Sequence, residues 1–486
     1  MSTEIHNLQP TALWQSFAAL NAVPRASKKE ERVIQFMVDF GQDLGLDTST
    51  DEMGNVIIKK PATAGMESKQ TIVMQSHLDM VHQKNADTTF DFDSEGIRMR
   101  LEEGWVKAEG TTLGADNGIG VATIMALLAS DDIPHPAIEA LFTIDEETGM
   151  TGALGLKGGL LTGKILLNLD TEDDRELTIG CAGGVDLTAT GMCREVAVPK
   201  THVSYKIMVK GLTGGHSGMD IHLGRGNANK LMNRLLLDVT ESLSALVTTI
   251  DGGGLRNAIP RESYCILSVD PQHESALKDS ISRHAQQLRE EYGTTDPEGD
   301  IMATRVETPA TAAASVFMMQ LLRATYACPN GIYRMSPDID GLVQTSNNLA
   351  RVLLDAGRYE LLCLTRSSVD SEKSDLAAAI TSAFELMGAQ VKTGGAYPGW
   401  TPKPSAPIIR LMSETYEKMF DDKPHVNACH AGLECGIIGR NYPDMDMISF
   451  GPNIRGAHSP DEKVEVSSVQ KYWSYLLEVL KNIPEA

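Results

Sequence analysis

The chain holds little that would staple or anchor it. Its 486 residues include only seven cysteines, Cys181, Cys193, Cys265, Cys328, Cys363, Cys429 and Cys435. The number is odd and no two stand at Cys-x-x-Cys spacing. That argues against a disulfide framework or a thiolate zinc site, and for a reducing compartment. No apolar run is long enough to span a bilayer. The opening Met1-Ser-Thr-Glu-Ile-His6 lacks the basic region and apolar core of a secretory signal, so a cytoplasmic protein is expected. Positive charge is also scarce: 43 Lys and Arg stand against 65 Asp and Glu, a formal net charge of -22. Such a surface repels phosphate backbones and anionic headgroups, so neither nucleic acid nor a membrane is expected as partner.

What is present is a globular composition, 42% hydrophobic and 22% charged. The length exceeds one ordinary core, so two domains are predicted. Leu13, Phe17 and Leu20 recur at helical spacing, as do Val33, Phe36, Met37 and Phe40 in a helix predicted from Glu30 to about Leu44. Apolar runs then read as strands at 55–60, 71–76, 138–144 and 164–169, with a helix at 120–128 between the second and third. Strands alternating with helices predict an α/β domain whose central, mainly parallel sheet is flanked by helices. After Cys181-Ala-Gly-Gly184 the character changes to an α+β pattern, and a comparable helix and strand order recurs between Ala312 and Leu386. The turn-rich Gly394-Gly-Ala-Tyr-Pro-Gly-Trp400 closes this stretch. A strand at 445–450 and a final helix capped by Ser467 return to the first style. The expected division is a catalytic domain over 1–185 and 399–486, with 186–398 inserted as a second domain of two similar halves.

Metal-capable side chains gather where the strands run out. The strand 71–76 ends in His77-Leu-Asp79, 138–144 in Asp145-Glu-Glu147, and 164–169 in Asp170. The strand 445–450 is followed by a loop bearing His458, and Asp116 precedes a helix in Gly114-Ala-Asp-Asn-Gly-Ile-Gly120. Ligands of open α/β sheets bind beyond the carboxyl ends of the strands, so all five segments aim at one place. A lone Asp or His at a strand end is commonly a cap, and paired acids such as Glu102-Glu103 or Asp421-Asp422 are read as surface. The convergence carries the argument. Imidazole and carboxylate suit zinc, and two His with three acids exceed what one catalytic zinc uses. They suit two metals sharing a carboxylate. His77, Asp116 and Asp170 are assigned to one, Asp116, Glu147 and His458 to the other, with Asp116 bridging. Cobalt or manganese would accept the same ligands. Strand alternation puts Asp79 beside His77, to fix its tautomer. Glu146, left over beside a ligand, is the candidate general base toward a metal-activated water.

Taken together, His77-Leu-Asp79, Gly114-Ala-Asp-Asn-Gly118, Asp145-Glu-Glu-Thr-Gly149, Asn168-Leu-Asp170 and Gly456-Ala-His-Ser-Pro-Asp461 resemble the co-catalytic zinc family of aminoacylases, carboxypeptidase G and carnosinases. The likeness spans essentially the whole chain. It implies a zinc-peptidase-like fold with two zinc ions per subunit, Asp79 supporting His77, Glu146 as proton acceptor, and a cis peptide after Asp116. The activity it implies is cleavage of short peptides, Xaa-His dipeptides such as carnosine among them. A tripeptidase, an N-acyl amino acid deacylase or an inactive peptide-binding homologue on the same scaffold are the alternatives. The resemblance also makes the inserted domain a lid. Within it, His216 of Gly214-Gly-His-Ser-Gly218 would help hold the oxyanion, and Asn257 and Arg366 would grip the substrate carboxylate, which an Arg fork suits. His430 and Glu434 lie in another family loop near the pocket. The resemblance implies a homodimer, and in related dimeric enzymes a lid histidine comes from the partner subunit. A doubled lid would let one chain supply its own.

Overall fold

The computed structural model describes residues 4–486; the first three residues, read above for a leader, lie outside it. The chain divides into two compact units. The first runs to Gly180 and resumes over Trp400–Ala428 and Leu433–Ala486; the second comprises Cys181–Gly399 and Cys429–Gly432. The four residues 429–432 thus group with the second unit, inside a stretch expected to run unbroken from 399.

An eight-stranded sheet organises the first unit, in the order Asp47–Thr50, Val56–Lys60, Ile138–Thr143, Ile72–His77, Ile165–Asn168, Asp446–Ser449, Glu176–Cys181, His425–Cys429. The four central strands pair in parallel. Val56–Lys60 and Glu176–Cys181 flank them antiparallel. Every residue of Ile72–His77, Ile138–Thr143 and Ile165–Asn168 is buried, as parallel strands covered on both faces require. Helix Ala115–Ala129 is apolar on all sides and correspondingly buried. Leu13, Trp14 and Phe17 of helix Thr11–Asn21 share a core with its Ile119, Ala122 and Ala126.

A smaller four-stranded antiparallel sheet joins the same core, in the order Ile454–Arg455, Lys463–Glu465, Trp105–Ala108, Met99–Glu102. The loop bearing His458, which follows Asp446–Ser449 along the chain, is the connection between its first two strands. Strands of two or three residues carry too little alternation to be read from sequence. The last helix, Val466–Lys481, takes Glu465 as its N-cap residue, and the Ser467 hydroxyl donates to Glu465 Oε1 at 2.9 Å. Ser467 lies inside the first turn and is not the cap.

The second unit is built on one nine-stranded sheet whose order shows two equivalent halves. One half runs Val203–Lys210, helix Ala228–Leu243, Leu246–Gly253, Ser263–Val269, helix Glu274–Tyr292, Asp300–Val306. The other runs Gly183–Met192, helix Ser315–Ala327, Val343–Asp355, Arg358–Ser367, helix Asp370–Leu386, Gln390–Tyr397. In each, the fourth strand lies beside the first, then the third, then the second, a split βαβ arrangement. The second strands of the two halves pair antiparallel, Ile250 opposite Leu354. A single core joins Leu235, Leu277, Leu321 and Ile380 of the four helices to Ile207, Leu267 and Leu361 of the strands. Among the described residues, no helix is long and apolar enough to cross a membrane.

Candidate metal centre

Each candidate ligand owes its position to a local break in regular structure. His77 is the last residue of its strand, and Asp170 stands two beyond Ile165–Asn168. Glu146 and Glu147 follow Asp145, whose φ of 55° turns the chain off the end of Ile138–Thr143. Asp116 and Asn117 are non-helical inside Ala115–Ala129, and the peptide between them is cis. His458 has φ 63° on its hairpin loop.

The side chains converge on Asp116. Its Oδ1 lies 3.2 Å from His77 Nε2 and its Oδ2 3.2 Å from His458 Nε2. His77 Nε2 is also 3.5 Å from Asp170 Oδ1, and His458 Nε2 is 3.0 Å from Glu147 Oε2. Two triads result, His77–Asp116–Asp170 and Asp116–Glu147–His458, the ligand atoms of each within 4.8 Å of one another. Glu147 Oε1 is buried with no protein partner. An orphaned oxygen among three carboxylates and two imidazoles fits a pair of divalent cations.

The electrostatics point the same way. Burial, then Asp116 and Glu147, push Asp170 up to about 6. Hydrogen bonds to Asp116 and Glu147 push His458 up to about 11. Burial works against ionised Asp116, yet its bonds to His458 and His77 hold it well below the usual carboxylate range. A third group joins Glu146 to His77 and Glu147. Burial first, then Asp170, Glu434 and Glu147, raise Glu146 well above the ordinary value, against the opposing pull of His77.

Asp79 does more than expected. His77 Nδ1 lies 3.1 Å from its carbonyl oxygen and 3.4 Å from Oδ1, which fixes Nδ1 as donor and leaves Nε2 for a metal. Its carboxylate also accepts from Ser27 Oγ at 2.8 Å and from the backbone N–H of Glu146 and Glu147 at 3.0 and 3.3 Å. It therefore holds the turn that carries Glu146 and Glu147. Asn117 Nδ2 donates to Asp170 Oδ1 at 2.5 Å, and Lys28 pairs with Asp145. None of Ser27, Lys28 and Asn117 was singled out from the sequence, because each serves a neighbour and shows no periodic signal.

In the second unit, His216, Arg366 and His430 gather around Gly218, and Asn257 joins them through its backbone bond to Ser217. Arg366 Nη1 donates to Tyr397 Oη at 2.9 Å, while its buried Nε has no partner. His430 Nε2 lies 2.8 Å from Ser346 Oγ, and its buried Nδ1 has no partner. Burial, then Arg366, His216 and His222, drive His430 down to about 3. His216 Nδ1 accepts from the N–H of Gly218 and Met219, at 3.2 and 3.0 Å, so Nε2 carries its proton. Asn257 is exposed, and its carbonyl accepts from Ser217 N–H at 2.8 Å. Glu434 is not among them. It lies in the first unit, fully buried, accepting from Gln75 Nε2 at 2.7 Å and Thr143 Oγ1 at 2.6 Å. Burial pushes it up to about 8.

Residues 73–482 match the model of peptidase family M20/M25/M40, and the chain belongs to that family. It is a hydrolase of a metallopeptidase family, and its donor set suits the metal that membership implies. Over 482 residues, 99% of both chains, it is 42% identical to the cytosol non-specific dipeptidase of Escherichia coli K12. The crystal structure of aminoacylhistidine dipeptidase from Vibrio alginolyticus superposes with TM-score 0.93 at 44% identity, over 100% of this chain and 99% of that one. The aminopeptidase PepT of Bacillus cereus ATCC 10987 shares the fold at TM-score 0.57 and 16% identity, over 98% and 99% of the two chains.

Proposed function

We propose that this chain is a dipeptidase that works with two metal ions, zinc the first candidate, on short peptides including Xaa-His dipeptides. The observation that carries the reading is the division of Asp116, one oxygen toward His77 and the other toward His458. The full-length similarity to two dipeptidases supports the substrate class, and the name of the Escherichia coli relative supports a cytosolic location.

When bound, the metals would polarise the scissile carbonyl and lower the pKa of the attacking water. The chain's own residues do the rest. Glu146 takes a proton from that water as its oxygen bonds to the carbonyl carbon, then delivers it to the amine as the C–N bond breaks. Its raised proton affinity suits both halves of that task. Asp79 keeps His77 in one tautomer and the Glu146 backbone in place. Within the second unit, the unpartnered Nε of Arg366 suits a carboxylate, with Asn257 as its candidate companion, and the Nε2–H of His216 suits an oxyanion.

The test is metal analysis of purified protein, paired with hydrolysis of β-alanyl-histidine, other dipeptides, a tripeptide and an N-acetyl amino acid, before and after chelation. About two metals per chain with chelator-sensitive dipeptide cleavage supports the proposal. Metal with cleavage only of the tripeptide or the acylated substrate replaces the substrate class. Absence of both metal and zinc-restored activity removes the reading.

A further inference from the structure

The loop that presents Asp116 is held by a carboxylate that takes no part in the ligand set. Glu462 is 2% exposed, and both its oxygens are used. Oε2 accepts from the backbone N–H of Leu113 at 2.7 Å and Gly114 at 3.0 Å; Oε1 accepts from Ala115 at 2.7 Å and Asp116 at 3.2 Å. Four consecutive N–H groups thus form a concave anion nest, opened by Gly114 in the left-handed conformation, with the chain's own carboxylate as its anion.

The same loop is gripped from its carbonyl side by Arg25, also 2% exposed. Arg25 Nη2 donates to Gly114 O at 2.6 Å and to Asn21 Oδ1 at 3.0 Å; Nη1 donates to the carbonyls of Leu78 and Asp79 at 3.0 and 3.2 Å. One buried cation and one buried anion therefore brace 113–116 and tie it to the strand end that carries His77. Glu462 itself sits on the connection between Ile454–Arg455 and Lys463–Glu465, four residues after His458. A single hairpin loop delivers one ligand of the second triad and fixes the backbone of the ligand common to both.

We infer that Glu462 is a positioning residue for metal binding: its carboxylate sets the backbone of Asp116 so that one oxygen faces each triad. This rests on the two-metal reading above. A glutamine at 462 would keep the shape but lose charge and one acceptor, turning an NH2 group against two N–H donors. Groups that orient ligands are typically worth about 10–100-fold in metal affinity.

The experiment is competition of the full chain against a zinc-chelating dye, for the wild type, Glu462→Gln and Glu462→Asp, with the metal-free melting temperature of each recorded beside it. A loss of about tenfold or more in affinity for Glu462→Gln, with the metal-free protein melting within a few degrees of wild type, is expected. Partial recovery in Glu462→Asp, which restores the charge at shorter reach, is expected too. Unchanged affinity in a folded Glu462→Gln overturns the inference, as does a loss that merely tracks a fallen metal-free melting temperature. Should Glu462→Gln not fold, Glu462→Asp is read by the same two criteria. A wild type that binds no zinc would instead defeat the two-metal reading, so the two failures are distinguishable.

Discussion

Glu146 and Glu147 are neighbours with the same functional group, and their surroundings separate their roles. Glu147 faces His458 across 3.0 Å and completes a triad, whereas Glu146 belongs to neither triad and lies beside His77 and Glu147, its proton affinity raised by burial and three other carboxylates. Glu146→Ala is expected to cut kcat by about 10²–10⁴-fold, the usual share of a general base, while metal content stays at the wild-type value. Loss of metal from that variant would make Glu146 a ligand. His430 allows a second prediction at this scale. Its folded-state value of about 3 lies below the ordinary 6.5, so as pH falls through 6.5 the unfolded chain takes a proton that the folded one refuses. Stability is lost from that point down toward pH 3. Between pH 7.5 and 5 this amounts to about 2 kcal/mol. Urea titrations at the two pH values should show the loss, and Glu or Asp titration aside, His430→Gln should lose less than wild type. Equal losses would mean that His430 is not held neutral. Of the candidate ligands, His77, Glu147 and Asp170 were legible in the sequence because each stands where a buried strand runs out, and Asp116 and His458 because of the Gly-rich segments that carry them. Arg25 and Glu462 were not, because they act on backbone groups, and no residue pattern announces which backbone a side chain will hold.

Helix Ala115–Ala129 shows what an element must give up to carry a candidate ligand at its start. It approaches the main sheet so closely that a Cβ at Gly120 would lie 2.3 Å from Asn117 Oδ1, 2.4 Å from Ser76 Oγ and 2.9 Å from the Leu169 carbonyl oxygen. Gly120→Ala should therefore destabilise the protein by about 1–3 kcal/mol through overpacking. Because Asn117 also donates to Asp170, zinc affinity should fall with it. Gly254→Ala, where nothing lies within 4 Å, is the control and should stay within about 0.5 kcal/mol of wild type. Denaturant midpoints and zinc titration of both variants check this; a neutral Gly120→Ala would mean that the helix has room to shift. The buried strands and this helix were legible because their segments are mostly apolar, which records burial on both faces. The hairpin under His458 was not, since two residues opposite three carry no period.

The two units differ in how sequence order maps to space. In the second, strand Gly183–Met192 belongs to the half that finishes at Tyr397, and the other half is inserted after it. A nested duplication leaves no tandem repeat, which is why the recurring helix and strand order from 312 to 386 was visible while its opening strand was not. The units also differ in what metal does for them. His77, Asp116, Glu147, Asp170 and His458 all lie in the first, while the second has its own core. Ligand binding to the folded state contributes RT ln(1 + [L]/Kd), about 4 kcal/mol at a thousandfold excess over Kd. Without the cations, Asp116, Glu147 and Asp170 stand together in a buried place, where burial first and the neighbouring carboxylates after it raise Asp170 to about 6. Chelation should therefore lower the melting of the first unit by roughly 10 °C and leave that of the second where it was. Scanning calorimetry of the full chain with and without chelator reads this directly. Two transitions, one of them moving, are the expected result. A single transition that moves as a whole would mean that the units unfold together, and a trace that does not move would mean that metal adds nothing to the fold.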